Sequence, residues 1–83
     1  MVYPYDYGYL KGTKSGDGND LDVWRGSQKE DTLDAVVCTV DLAKKDVEVK
    51  LLLGCSEKEK MAIRDFYINS GYMGAILIER KIL

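Results

Sequence analysis

Only one stretch of this 83-residue chain joins a helix start signal to the spacing of a helix face, and it lies late in the sequence. In Ser56-Glu57-Lys58-Glu59 the serine hydroxyl can accept from the amide of Glu59 while the Glu59 carboxylate reaches back to Ser56, which is a capping box. Ala62, Ile63, Phe66 and Tyr67 then share one helical face, and Asn69-Ser70-Gly71 stop the helix after about 13 residues. The other ordered stretches read as strands. Residues 2 to 10 place Tyr3, Tyr5, Tyr7 and Tyr9 on one face if extended, and Pro4 confines them to an edge strand or extended loop. Leu21 to Arg25 is a short strand with Leu21 and Val23 on one face and Asp22 and Trp24 on the other. Ala35 to Val40 is a buried β-branched run, and Val47 to Leu53 alternates and returns as the second arm of a hairpin through Asp41 to Asp46. Tyr72 to Ile78 is a final strand. The expected fold class is therefore α+β in a single domain over 1–83: a small, mainly antiparallel, partly closed, OB-like β-barrel with one helix in its C-terminal half and a last strand.

A chain this short builds only a small core, near the lower limit of what folds without disulfides or a metal. A net charge of −2 offers no electrostatic case for nucleic acid or an anionic membrane, so neither is expected as a partner. The longest apolar runs, Leu51-Leu52-Leu53 and Ala75-Ile76-Leu77-Ile78, are far below the ~20 residues of a membrane helix, and no charged-then-apolar leader opens the sequence. A cytoplasmic location is the expectation. Cys38 and Cys55 sit in or beside apolar runs without C-x-x-C spacing and read as buried thiols. Histidine is absent, which removes imidazole acid-base chemistry and the usual zinc sites.

The candidate chemistry lies in Asp17-Gly18-Asn19-Asp20-Leu21-Asp22, where oxygen ligands crowd beside a glycine. Such a run suits Mg2+ or Ca2+, and it equally suits a polar hairpin turn. An EF-hand fails in both registers, because a loop starting at Asp17 or at Ser15 lacks the required glycine and glutamate. A phosphate loop fails too: Thr13 replaces its second glycine, and Gly16-Asp17-Gly18 forbids the helix that must follow.

Taken as a block, Tyr3-Pro4-Tyr5-Asp6-Tyr7-Gly8-Tyr9 followed by Asp17-Gly18-Asn19-Asp20-Leu21-Asp22-Val23 resembles the soluble family I inorganic pyrophosphatases. In that family a Tyr-Pro-x-Asn-Tyr-Gly-Tyr segment leads into Asp-Gly-Asp-Pro-aliphatic-Asp-aliphatic. Asp41 and Asp46 reproduce a further pair of aspartates on a hairpin, and Asp46-Val47-Glu48-Val49-Lys50 is similar to a segment of short bacterial pyrophosphatase-like proteins. The resemblance is strong over 3 to 23 and loose over 35 to 83. It implies that Asp17, Asp22, Asp41 and Asp46 hold Mg2+ (or Mn2+), that Tyr7, Lys50 and Tyr67 face phosphate, and that the substrate is pyrophosphate or a related phosphoanhydride. The inherited chemistry is Mg2+-dependent hydrolysis, in which cations neutralise the phosphates and acidify a bound water.

Asn19 stands where the family has the aspartate that takes the proton of the attacking water. An amide can ligate through its carbonyl oxygen but cannot act as a base, so hydrolysis is expected to be impaired. The alternative is a non-catalytic oligomeric scaffold or binding module on the same fold. The family also draws a glutamate, a lysine and an arginine from strands ahead of the Tyr-Pro segment. With the chain opening at Met1-Val2-Tyr3, an edge and part of the core are expected to lie bare. A homo-oligomer is the expected consequence, with the tyrosine face and Ile82-Leu83 as candidate contacts.

Overall fold

The computed structural model describes residues 3–16 and 18–80, the side chain of residue 34 excepted. Five strands and one helix follow in the order β1 (Asp6–Leu10), β2 (Leu21–Arg25), β3 (Leu33–Asp41), β4 (Asp46–Leu53), α1 (Glu57–Ile68) and β5 (Met73–Glu79). The first strand starts at Asp6, after Pro4, which cannot donate to a ladder. The strands form one sheet in the order β1-β2-β4-β3-β5. Only the β2–β4 pair is parallel, so this is a mostly antiparallel α+β fold. The sheet is open, with β1 and β5 at its edges and no pairing that closes it among the described residues.

The helix begins where its capping box predicts. Ser56 Oγ accepts from the Glu59 amide at 3.2 Å, and Glu59 Oε1 accepts from the Ser56 amide at 2.8 Å. Asn69 caps the other end, and Gly71 at φ +91° turns the chain toward β5. Ile63, Phe66 and Tyr67 press onto one face of the sheet, and the core is Trp24, Ala35, Val37, Leu52, Cys55, Ile63 and Tyr67. Trp24, Leu52, Ile63 and Val37 have no exposed surface. Glu59 adds a tie that the capping motif does not announce: its carboxylate also accepts from the Ser27 amide at 3.1 and 3.2 Å, fastening the segment after β2 to the start of α1.

The pleat decides what each face carries. On the helix side β2 presents Asp22 and Trp24, β4 presents Glu48, Lys50 and Leu52, and β3 presents Ala35, Val37, Thr39 and Asp41. The opposite side carries Val36, Cys38 and Val40 of β3, Val47, Val49 and Leu51 of β4, and Ile76 and Ile78 of β5. Among the described residues no helix is long and apolar enough to cross a membrane.

Candidate functional site

A lysine, not a metal ligand, is the hub of the helix-side face. The register pairing Val23 with Leu51 sets Asp22 of β2 beside Lys50 of β4. Lys50 is 5% exposed, and its ammonium donates to Asp22 Oδ2 at 2.9 Å, Glu48 Oε2 at 2.8 Å and the Tyr7 hydroxyl at 3.0 Å. All three ammonium protons thus have acceptors. Burial alone pulls an ammonium's pKa down. The hydrogen bonds to Glu48, Tyr7 and Asp22 outweigh that pull and hold Lys50 above the ordinary lysine value. Burial pushes the Tyr7 phenol up; Lys50 opposes this and Asp22 reinforces it, so the phenol is neutral at physiological pH.

Tyr67, from the last turn of α1, closes the other wall. Its hydroxyl accepts from Trp24 Nε1 at 2.9 Å, and its ring centroid lies 6.0 Å from the Lys50 ammonium, with the Tyr7 ring at 5.6 Å. Burial raises the Tyr67 phenol as well. Tyr3, Tyr7, Trp24, Phe66 and Tyr67 stack edge-to-face or tilted, with centroids 4.7 to 6.0 Å apart. Of the four N-terminal tyrosines, Tyr3 and Tyr7 therefore both cover the core and line a site, while Tyr9 is 64% exposed.

Two clefts meet at this cluster. One, of about 390 Å³, lies under the loop 11–20 and is lined by Asn19, Asp20, Asp22 and Glu48. The other, of about 210 Å³, is lined by Tyr3, Tyr7, Lys50 and Tyr67 together with Asp41 and Lys44. Glu48 borders both. Two carboxylates against one ammonium leave the Asp22–Glu48–Lys50 group with an excess negative charge.

The residues singled out in the sequence thus divide. Asp22, Lys50, Tyr7 and Tyr67 come together. Asn19 lies in the hairpin loop, where its backbone oxygen accepts from the Ser15 amide at 2.7 Å and hydroxyl at 3.0 Å. Asp17 lies outside the described residues. Asp41 lines the smaller cleft, but its Oδ1 accepts from the amides of Ala43 and Lys44, both at 2.9 Å, and so shapes the β3–β4 turn. Asp46 pairs with Asp41 across that hairpin and is exposed. Glu48 and Trp24 are the functional neighbours that motif spacing passes over. The period-two alternation that sets Glu48 on the face of Lys50 was a usable signal for the first.

Mg2+ demands a near-octahedral set of oxygens. Asp22 and Glu48 each give an oxygen to Lys50, Asp41 gives one to its turn, and no group of three His, Cys, Asp or Glu able to hold a metal occurs among the described residues. As arranged, the described carboxylates do not fit a resident metal. Comparisons with protein families, curated proteins and solved structures found no match.

Proposed function

We propose that this chain is a pyrophosphatase-like domain that binds pyrophosphate, or a related phosphoanhydride, accompanied by its own Mg2+ or Mn2+ ions, and that its hydrolytic chemistry is impaired. The observation that carries this reading is the convergence of Tyr7, Asp22, Lys50 and Tyr67, four residues far apart in sequence, on one pair of adjoining clefts. Lys50 supplies the positive charge, and phosphate oxygens would take its ammonium protons in exchange for the Asp22, Glu48 and Tyr7 acceptors it now holds, with the aromatic wall limiting water around it. The surplus negative charge of the cluster disfavours the bare tetra-anion. It favours a phosphoanhydride whose cations travel with it as part of the substrate. At position 19, where the resemblance calls for the base, the Asn19 amide cannot take a proton from water. The partly closed, OB-like barrel belongs to this same reading, with closure at the free edges β1 and β5.

One observation favours a second reading, a binding module without catalysis: Asp22 and Glu48 each give an oxygen to Lys50 rather than standing ready for metal. Phosphate release from pyrophosphate with Mg2+ or Mn2+, measured for the native chain, Asn19→Asp and Asp22→Asn, separates the two. Release that rises in the first variant and vanishes in the second supports the enzyme lineage. Calorimetric titration with pyrophosphate, with and without Mg2+, accompanies it. No release and no Mg2+-dependent binding in any chain overturns the proposal.

A further inference from the structure

Among the described residues the sheet has a covering layer, the helix, on one of its two faces. On the uncovered side cross-strand rows run Leu51–Val36–Ile78, Val49–Cys38–Ile76 and Val47–Val40, all aliphatic apart from Cys38. Val47 is 67% exposed, Ile76 65%, Ile78 53% and Val49 46%. An antiparallel sheet that faces water alternates apolar inward with polar outward. Strand β4 does the reverse, turning Glu48 and Lys50 toward the helix and its valines toward solvent.

We propose that this face is a homodimer interface, in which two copies of the chain pack sheet against sheet about a twofold axis. Val40, Val47, Val49, Ile76 and Ile78 together leave on the order of 400 Å² bare, within the range of the largest apolar patch on a monomer and about half of the ~800 Å² per partner of a standard complex, the rest of which the rim of the face would supply. Among the described residues no charged side chain interrupts the cross-strand rows of the patch; Lys14 and Asp20 at one end, and Glu79 and Arg80 at the other, stand at its margin. A twofold contact therefore brings no like charges together at its centre, which the self-complementary geometry of such an interface requires. Flat β-branched surfaces pack face to face at about 10 Å as in a sandwich. The helix lies on the far side and does not obstruct the approach. This surface replaces the tyrosine face as the candidate contact, since Tyr7 packs onto Trp24, and Ile82-Leu83 lies outside the described residues. Val47 and Val49 also border the larger cleft, whereas Ile76 lies two strands away, so the Ile76→Lys variant tests the interface apart from the phosphate reading.

Sedimentation velocity of the full chain at micromolar concentration tests it, with Val49→Lys and Ile76→Lys as variants. The native chain is expected at twice the chain mass. Each variant is expected at the chain mass, with the fluorescence of Trp24, buried in the opposite core, unchanged. A native monomer at tens of micromolar, or an assembly that both lysines leave intact, overturns the proposal. If the variants unfold, alkylation of native Cys38 decides, because Cys55 is buried. Its rate is expected to fall several-fold as the concentration rises from nanomolar to tens of micromolar, and a concentration-independent rate overturns the proposal.

Discussion

Lys50 is the residue on which the site turns. Its ammonium lies beside the Tyr7 and Tyr67 rings, pairs with Asp22 and Glu48, and donates to the Tyr7 hydroxyl. Lys50→Met keeps the volume and removes the charge. The two carboxylates it abandons are 36% and 40% exposed, so water recovers part of the loss. The expected cost is about 1–2 kcal/mol, below that of a fully buried pair, and urea denaturation followed through Trp24 checks it. Unchanged stability counts against the hub. Glu59 sets an acid limit. The Ser56 amide first, then Ser27, with burial opposing, hold its carboxyl below the usual 4.5. A depressed folded-state pKa gives stability that is present above the unfolded value and lost as pH falls through the folded one. Stability of the native chain should thus decline below about pH 4.5 with a share that Glu59→Gln abolishes. Parallel acid titrations of the two chains measure that share, and identical slopes would refute it.

At the scale of elements, the capping box and the segment after β2 act as one joint. Gly26 lets that segment pass close to the turn before the helix. A Cβ there would meet Gly54 O at 2.5 Å, Cys55 Cα at 2.7 Å and Glu59 Oε1 at 2.8 Å. Two of those neighbours are backbone, so Gly26→Ala is expected to cost about 1–3 kcal/mol, read from its denaturation midpoint. A neutral effect would mean that the joint is slack. The helix, its caps and the strands over 21–25, 35–40 and 47–53 were legible in the sequence, because capping, period and β-branched runs act between near neighbours. The Asp41/Asp46 pair was legible as a hairpin but not as a turn lock. The same Asp that can ligate a cation also accepts from amides two and three residues on, and only coordinates distinguish the two uses.

For the whole molecule, β3 lies between β4 and β5 and β4 between β2 and β3, while β1 has a neighbour on one side only. Amide hydrogen exchange is therefore expected to be slowest in β3 and β4 and fast across the loop 11–20, and equal protection of β1 and β3 would contradict this ordering. By itself the sequence determined the kinds of element and most of their limits, the absence of imidazole chemistry, and a short roster of oxygen and cation donors. Only the tertiary structure decided which side of β4 meets the helix. That choice buries Lys50 beside Asp22 and Glu48, leaves Val47 and Val49 bare, and makes an ammonium the partner of the Asp22 carboxylate. The reason is physical: alternation defines two faces of a strand, but the helix docked from elsewhere in the chain selects the one that becomes the inside.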